Sequence, residues 1–178
     1  MKLLLKISLS VLLVLFIGYH PANGQQESNN FEMQFSQHFQ YASRVLSLAE
    51  AMPAEKYNWR PEEGVSSVEE VYTHIARYNY YYLENSLDIP APDDINVENI
   101  ESIKGKENVV EILGRSIQHV KESIKSMDKS KLKEQTEMYG RTVNGQAVLM
   151  QLITHMSEHV GQSIAYARMN GITPPWSE

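Results

Sequence analysis

A chain of 178 residues, 42% hydrophobic and 21% charged, can bury one core of ordinary domain size, which excludes a disordered polyelectrolyte. The formal net charge is -6 and no basic stripe stands out, so the phosphate-neutralising surface that DNA or RNA requires is missing and no nucleic-acid partner is expected. There is no cysteine, which removes disulfides, thiolate ligands and a lipid-modified cysteine, and leaves His, Asp, Glu and backbone groups as donors for any metal ion.

Met1 to Gly24 reads as a secretory signal. Lys2 and Lys6 give a positive start, Ile7 to Ile17 a short apolar run, and Ala22-Asn23-Gly24 small residues where a signal peptidase cuts. The run is shorter than the roughly 20 residues needed to span a bilayer. A membrane is therefore a partner only through this segment, if it stays uncleaved. Export to the periplasm or the medium is the expectation, with residues 25–178 as the mature domain. Lys2 and Lys6 leave with the signal, which takes the net charge to -8.

Gln25 to Asn30 is polar and reads as a loose lead-in. Phe31, Phe35, His38, Ala42, Val45 and Ala49 then recur at three- and four-residue spacing, the mark of one helical face. Ser28, Asn29 or Asn30 is placed to cap that helix, and Pro53 stops it. The connector Lys56 to Gly64 carries Trp59, a large aromatic suited to closing one end of a core. Ser66 and Ser67, followed by Glu69 and Glu70, supply two overlapping capping boxes. A second helix follows with Val71, His74, Ile75, Tyr78 and Tyr82 inward, and Tyr80 and Tyr81 at its borders; it ends before Pro90.

Asp88 to Gly105 is long enough to run the length of a bundle, and Val97 to Ile103 suits a short helix within it. Val109, Val110, Leu113, Ile117, Val120, Ile124 and Met127 stripe a third helix, with His119 read as a surface residue beside Lys121 and Glu122. Lys129 to Gly140 is a charged linker, and Asn144 caps a fourth helix bearing Val148, Leu152, His155, Met156, His159, Ser163 and Tyr166. No segment alternates with period two over a convincing length. Four amphipathic helices predict an all-α four-helix bundle with one long crossover between helices two and three.

His155 and His159 are four residues apart, which stacks their imidazoles on one helical face about 5–6 Å apart, close enough to share an ion at about 2.0–2.1 Å each. Two ligands are too few for tight binding, and His74 on the inward stripe of helix two is the natural third. A bare HxxxH also arises by chance, and a histidine on an apolar stripe is more often a hydrogen-bonded core residue. His38 faces the same choice, and the core reading is favoured for it.

His155-Met-Ser-Glu158-His159 also matches the inverted zinc-peptidase pattern, which needs an acidic ligand well downstream. Only 19 residues follow His159, and their one acid is Glu178, so that reading fails. Glu158 is left either solvated or partnering an imidazole N–H. Tyr78 is either plain core or a lining residue offering its hydroxyl near the metal.

The NWRP stretch Asn58 to Pro61, the capped helix holding His74, HMSEHVGQ from His155 to Gln162 and RMNGITPP from Arg168 to Pro175 occur in the order found in the DinB-like superfamily, which the mature chain resembles over nearly its whole length. The resemblance implies a four-helix bundle with one long crossover. It places a metal triad on His74, His155 and His159, with zinc, nickel or iron as the divalent cofactor; three imidazoles do not choose among them. It implies a metal-dependent enzyme, hydrolase- or transferase-like, with a small-molecule substrate. Some such relatives use low-molecular-weight thiols, which are cytosolic and fit an exported chain poorly. The alternative is a non-catalytic binding or stress-response module in which metal pins helices two and four. A homodimer is compatible with the bundle, although no exposed apolar stripe can be read from the sequence.

Overall fold

The computed structural model describes residues 22–177, so the signal reading of Met1–Gly24 lies outside the described residues except for its last three positions. The described residues open with α1 (Ala22–Ala42), turn at Ser43-Arg44 and continue as α2 (Val45–Ala51). Gln25 to Asn30 is therefore helical rather than a lead-in, and Ser28, Asn29 and Asn30 lie inside α1 rather than at its cap. The turn forms where the Ser43 hydroxyl bonds back to the Phe39 carbonyl at 2.6 Å, an interaction that competes with the helical ladder. Arg44 closes over it, its guanidinium 3.7 Å from the centre of the Tyr41 ring and 4.4 Å from that of Trp176, so the C-terminal tail packs on the break.

The inner face of α1 is Phe35, Phe39 and Ala42. His38 sits one residue, about 100° of helix, from Phe39 and is exposed. It is neither a core histidine nor part of a pocket with the others, which corrects the expectation for that stripe.

The next helix, α3 (Val68–Leu87), starts with a complete capping box: the Ser67 side chain accepts from the Glu70 amide, and the Glu70 carboxylate accepts from the Ser67 amide at 2.8 Å. Glu69 does something else. It is buried, pairs with Lys104 at 3.2 Å and accepts the Gly105 amide at 3.2 Å, fastening the far end of the crossover to the start of α3. Trp59 is partly buried and meets Tyr166 edge-on at 5.3 Å, closing that end of the core.

Helix α3 packs against α4 (Lys106–Ser126) on one side and α5 (Gly145–Met169) on the other, and the crossover lies along it. Being sandwiched, it buries two faces, which a single stripe understates. Tyr80 is fully buried against α4 rather than at a border, and its ring lies 5.1 Å from that of His119. His119 is half-buried there rather than a surface residue, and burial lowers its pKa. The crossover contains a 3-10 turn at Val97–Ser102, capped by Asn96 and anchored by buried Ile100.

The predicted charged linker opens with a 3-10 turn (Lys129–Leu132), and its second half joins the next four residues in a two-stranded antiparallel hairpin, β1 (Gln135–Met138) and β2 (Arg141–Asn144), in the register Gln135↔Asn144 to Met138↔Arg141. Its two loop residues, Tyr139 and Gly140, both have positive φ (53° and 70°), the type I′ arrangement that matches strand twist. Four-residue strands are too short for alternation to show against the surrounding charge. Asn144 ends β2 and caps α5 by accepting the Ala147 amide at 2.9 Å. Gly145 follows, packed so closely on the Lys131 carbonyl that a Cβ would collide with it. The fold is thus all-α apart from this hairpin. Among the described residues no helix is long and apolar enough to cross a membrane.

Candidate metal centre

His74 comes from the second turn of α3, and His155 and His159 from the middle of α5. The capping box sets the start of α3 and Asn144 the start of α5, so the local sequence fixes the phase in which these side chains face each other. The structure brings all three together. One ring nitrogen from each lies within 4.8 Å of the others, and all three residues are partly buried. His74 Nε2 and His155 Nε2 are 3.1 Å apart. The rings of His155 and His159 are centred 4.6 Å apart, and that of His74 lies 5.0 and 4.9 Å from them.

Two of the three imidazoles are held from behind. His74 Nδ1 lies 2.6 Å from a Glu101 carboxylate oxygen on the crossover. A carboxylate only accepts, so Nδ1 carries the proton and Nε2 presents its lone pair toward His155. His159 Nδ1 lies 2.8 Å from Gln162 Oε1. The amide is oriented in turn: Gln162 Nε2 donates to the Tyr166 hydroxyl at 2.9 Å, and that hydroxyl donates to the Ser66 carbonyl at 3.0 Å. This relay leaves His159 with its proton on Nδ1 and its Nε2 free. Glu158 is exposed on α5, and the partner of the His159 N–H is Gln162.

Burial, with His159 and His74 nearby, pushes the His155 pKa down to about 3, and burial also lowers that of His159. Both imidazoles are neutral near pH 7, the form that ligates a metal. The donor set fits a divalent ion: two nitrogens bound at about 2.0–2.1 Å in a tetrahedral arrangement sit roughly 3.3 Å apart, close to the His74–His155 spacing.

Aromatic rings wall the far side. Tyr78 is partly buried with its ring 4.5 Å from both His74 and His155, which places it at the cluster as a lining residue. Tyr82 is fully buried, its ring 5.9 Å from that of His155, and its hydroxyl is 2.7 Å from that of Tyr139 at the hairpin turn. The other side opens into a cavity of about 390 Å³ lined by Ser66, Glu70, Thr73, His74, Glu101, His159 and Gln162, with Val71 as its one apolar member.

Sequence reasoning missed Glu101, Gln162 and Tyr139. Gln162 could have been found, because it follows His159 by three residues on the same helical face.

The family profile described as DinB matches residues 26–178. The chain belongs to the DinB family. Solved DinB-like proteins share the fold. One from Bacillus subtilis superposes with a TM-score of 0.62 at 21% identity, covering 79% of this chain and 93% of that one. Another, from Bacillus cereus ATCC 10987, gives 0.58 at 19% identity over the same shares. No curated protein matches the chain.

Proposed function

We propose that this DinB-family chain is an exported metal-dependent enzyme, hydrolase- or transferase-like, that holds one divalent ion through His74, His155 and His159. The observation that carries the reading is the convergence of three imidazole nitrogens from two helices, two of the rings, His74 and His159, lining an open polar cavity. Glu101 and the Gln162–Tyr166 relay hold two of the rings in the ligating tautomer. When bound, a zinc, nickel or iron ion supplies Lewis acidity, polarising a donor atom of solvent or substrate.

The chain's own residues supply the rest. Tyr78 and Tyr82 exclude water from the rear of the site, and the cavity receives the substrate. Its volume falls in the range of small-molecule sites. Three protein ligands beside an opening favour an open, reactive site over a closed structural one, which normally takes four. The charge and length pattern of Met1 to Gly24 supports a periplasmic or secreted location.

The test starts with metal content by mass spectrometry of the purified protein, His74→Ala and His155→Ala. Near-stoichiometric metal in the native chain and its loss in both variants are expected. A panel of esters, amides and thiol conjugates is then assayed with and without chelator. Activity that persists after the metal is removed would refute the mechanism, and unfolding of the bundle on metal removal without any activity would favour the pinning role.

A further inference from the structure

We propose that Glu101 is the positioning residue of the metal centre, and that the crossover is there to deliver it behind His74. The inference rests on the three-histidine reading and goes beyond it by giving the crossover a part in the site. Glu101 Oε1 sits 2.6 Å from His74 Nδ1, a short contact of the kind made when the acceptor is ionised. The two ring nitrogens point in different directions. The carboxylate therefore lies behind the imidazole and not among the ligating atoms, and among the described residues the set of converging donors is the three histidines.

Its placement is specified several times over, although the segment is irregular. Asn96 caps the turn by accepting the Glu98 amide at 3.1 Å, and Ile100, next to Glu101, is buried in the core. The Ser102 hydroxyl donates to the Asn99 carbonyl at 2.6 Å. Beyond it, Lys104 pairs with buried Glu69 and the Gly105 amide donates to the same carboxylate. The second carboxylate oxygen of Glu101 faces Arg77 Nε at 4.0 Å, one helical turn after His74, so α3 restrains both oxygens. These fastenings hold a polar residue in register with one imidazole across 27 positions of sequence.

Imidazole ligands generally depend on such a partner for orientation and tautomer, and losing it costs about 10–100-fold in metal affinity. His159 has its own partner in Gln162, so the two supports act on different ligands.

The experiment is a zinc titration of the native protein, Glu101→Ala and Glu101→Gln against a competing chromophoric chelator. It is paired with the visible spectrum of the cobalt(II)-loaded forms and with thermal melts of the metal-free forms. The expected result is zinc affinity lowered about 10–100-fold in Glu101→Ala and less in Glu101→Gln, whose amide oxygen still accepts from Nδ1. Metal-free melts should be nearly unchanged, because the side chain is 43% exposed. The cobalt bands should keep their position and intensity. Unchanged zinc affinity in Glu101→Ala overturns the proposal. A changed cobalt coordination spectrum in Glu101→Gln also overturns it, by making the carboxylate a ligand. A native protein that takes up no zinc, nickel or cobalt removes the metal reading itself, a failure seen before any variant is compared.

Discussion

Tyr166→Phe probes the metal centre from a residue that touches no ligand. The substitution keeps the ring that packs on Trp59 and deletes one hydroxyl, which accepts from Gln162 Nε2 and donates to the Ser66 carbonyl. Two neutral hydrogen bonds at about 0.5–1.5 kcal/mol each put the stability loss near 2 kcal/mol. For a domain of this size that is about 4–8 °C in melting temperature. The effect on metal follows from the amide. Without the hydroxyl, Gln162 is free to turn and offer its NH2 to His159 Nδ1, which drives the ring proton onto Nε2 and blocks ligation. If the competent orientation falls to between half and a tenth of the population, apparent zinc affinity drops about two- to tenfold. A competition titration and a melt on the same samples read both numbers. Gln162→Glu presents an acceptor whichever way it turns, so Tyr166→Phe in that background should leave affinity unaltered while still lowering the melt. A melt that falls while zinc affinity stays fixed in the native background would refute the relay and leave Tyr166 a packing residue.

Metal-free protein should lose stability as pH falls from 7 to 5. His119, His155 and His159 all have folded pKa values lowered by burial, that of His155 to about 3, whereas the unfolded chain takes protons near 6.5. Below that value the unfolded state binds more protons and gains weight, while above it these groups contribute no slope; a melt that holds level between pH 7 and 5 would contradict the burial of these rings. Glu69→Ala should cost about 1–3 kcal/mol by denaturant titration, because it removes the charged acceptor of the Gly105 amide and the partner of Lys104. Hydrogen exchange in residues 97–105 should speed up in the same variant, and exchange at the native rate would show that the crossover is held by other contacts.

The sequence carries the ligand pair in the plainest way, since four-residue spacing on a helix leaves two side chains no choice but to share a face. The third histidine was legible because α3 keeps it on an inward stripe. What supports these ligands was legible only in part. Gln162 and Tyr166 continue the same helical face at three and four residues. Glu101 sits in an irregular segment, and only the closed fold shows which residue of such a segment meets His74. His38 and His119 went astray for related reasons. One lies a single residue from the true stripe of α1, and the other faces a helix that is buried on two sides. The hairpin escaped because its strands are four residues each and its turn is Tyr-Gly rather than the more familiar Asn-Gly.

Gly145 holds no ligand, yet it sets a length. Its contact with the Lys131 carbonyl fixes where α5 begins, and His155 lies ten residues further along, about 15 Å at the helical rise. A slip of one residue would advance both imidazoles by about 1.5 Å and swing them through about 100°, away from His74. The same rotation would turn Val148, Leu152 and Met156 out of the core, so the packing of α5 and the three-nitrogen geometry demand one register. Insertions or deletions in the hairpin between Lys131 and Gly145 leave that contact in place, so Gly145 itself is the sensitive position: a side chain there must displace the start of α5, and the ion site moves with it.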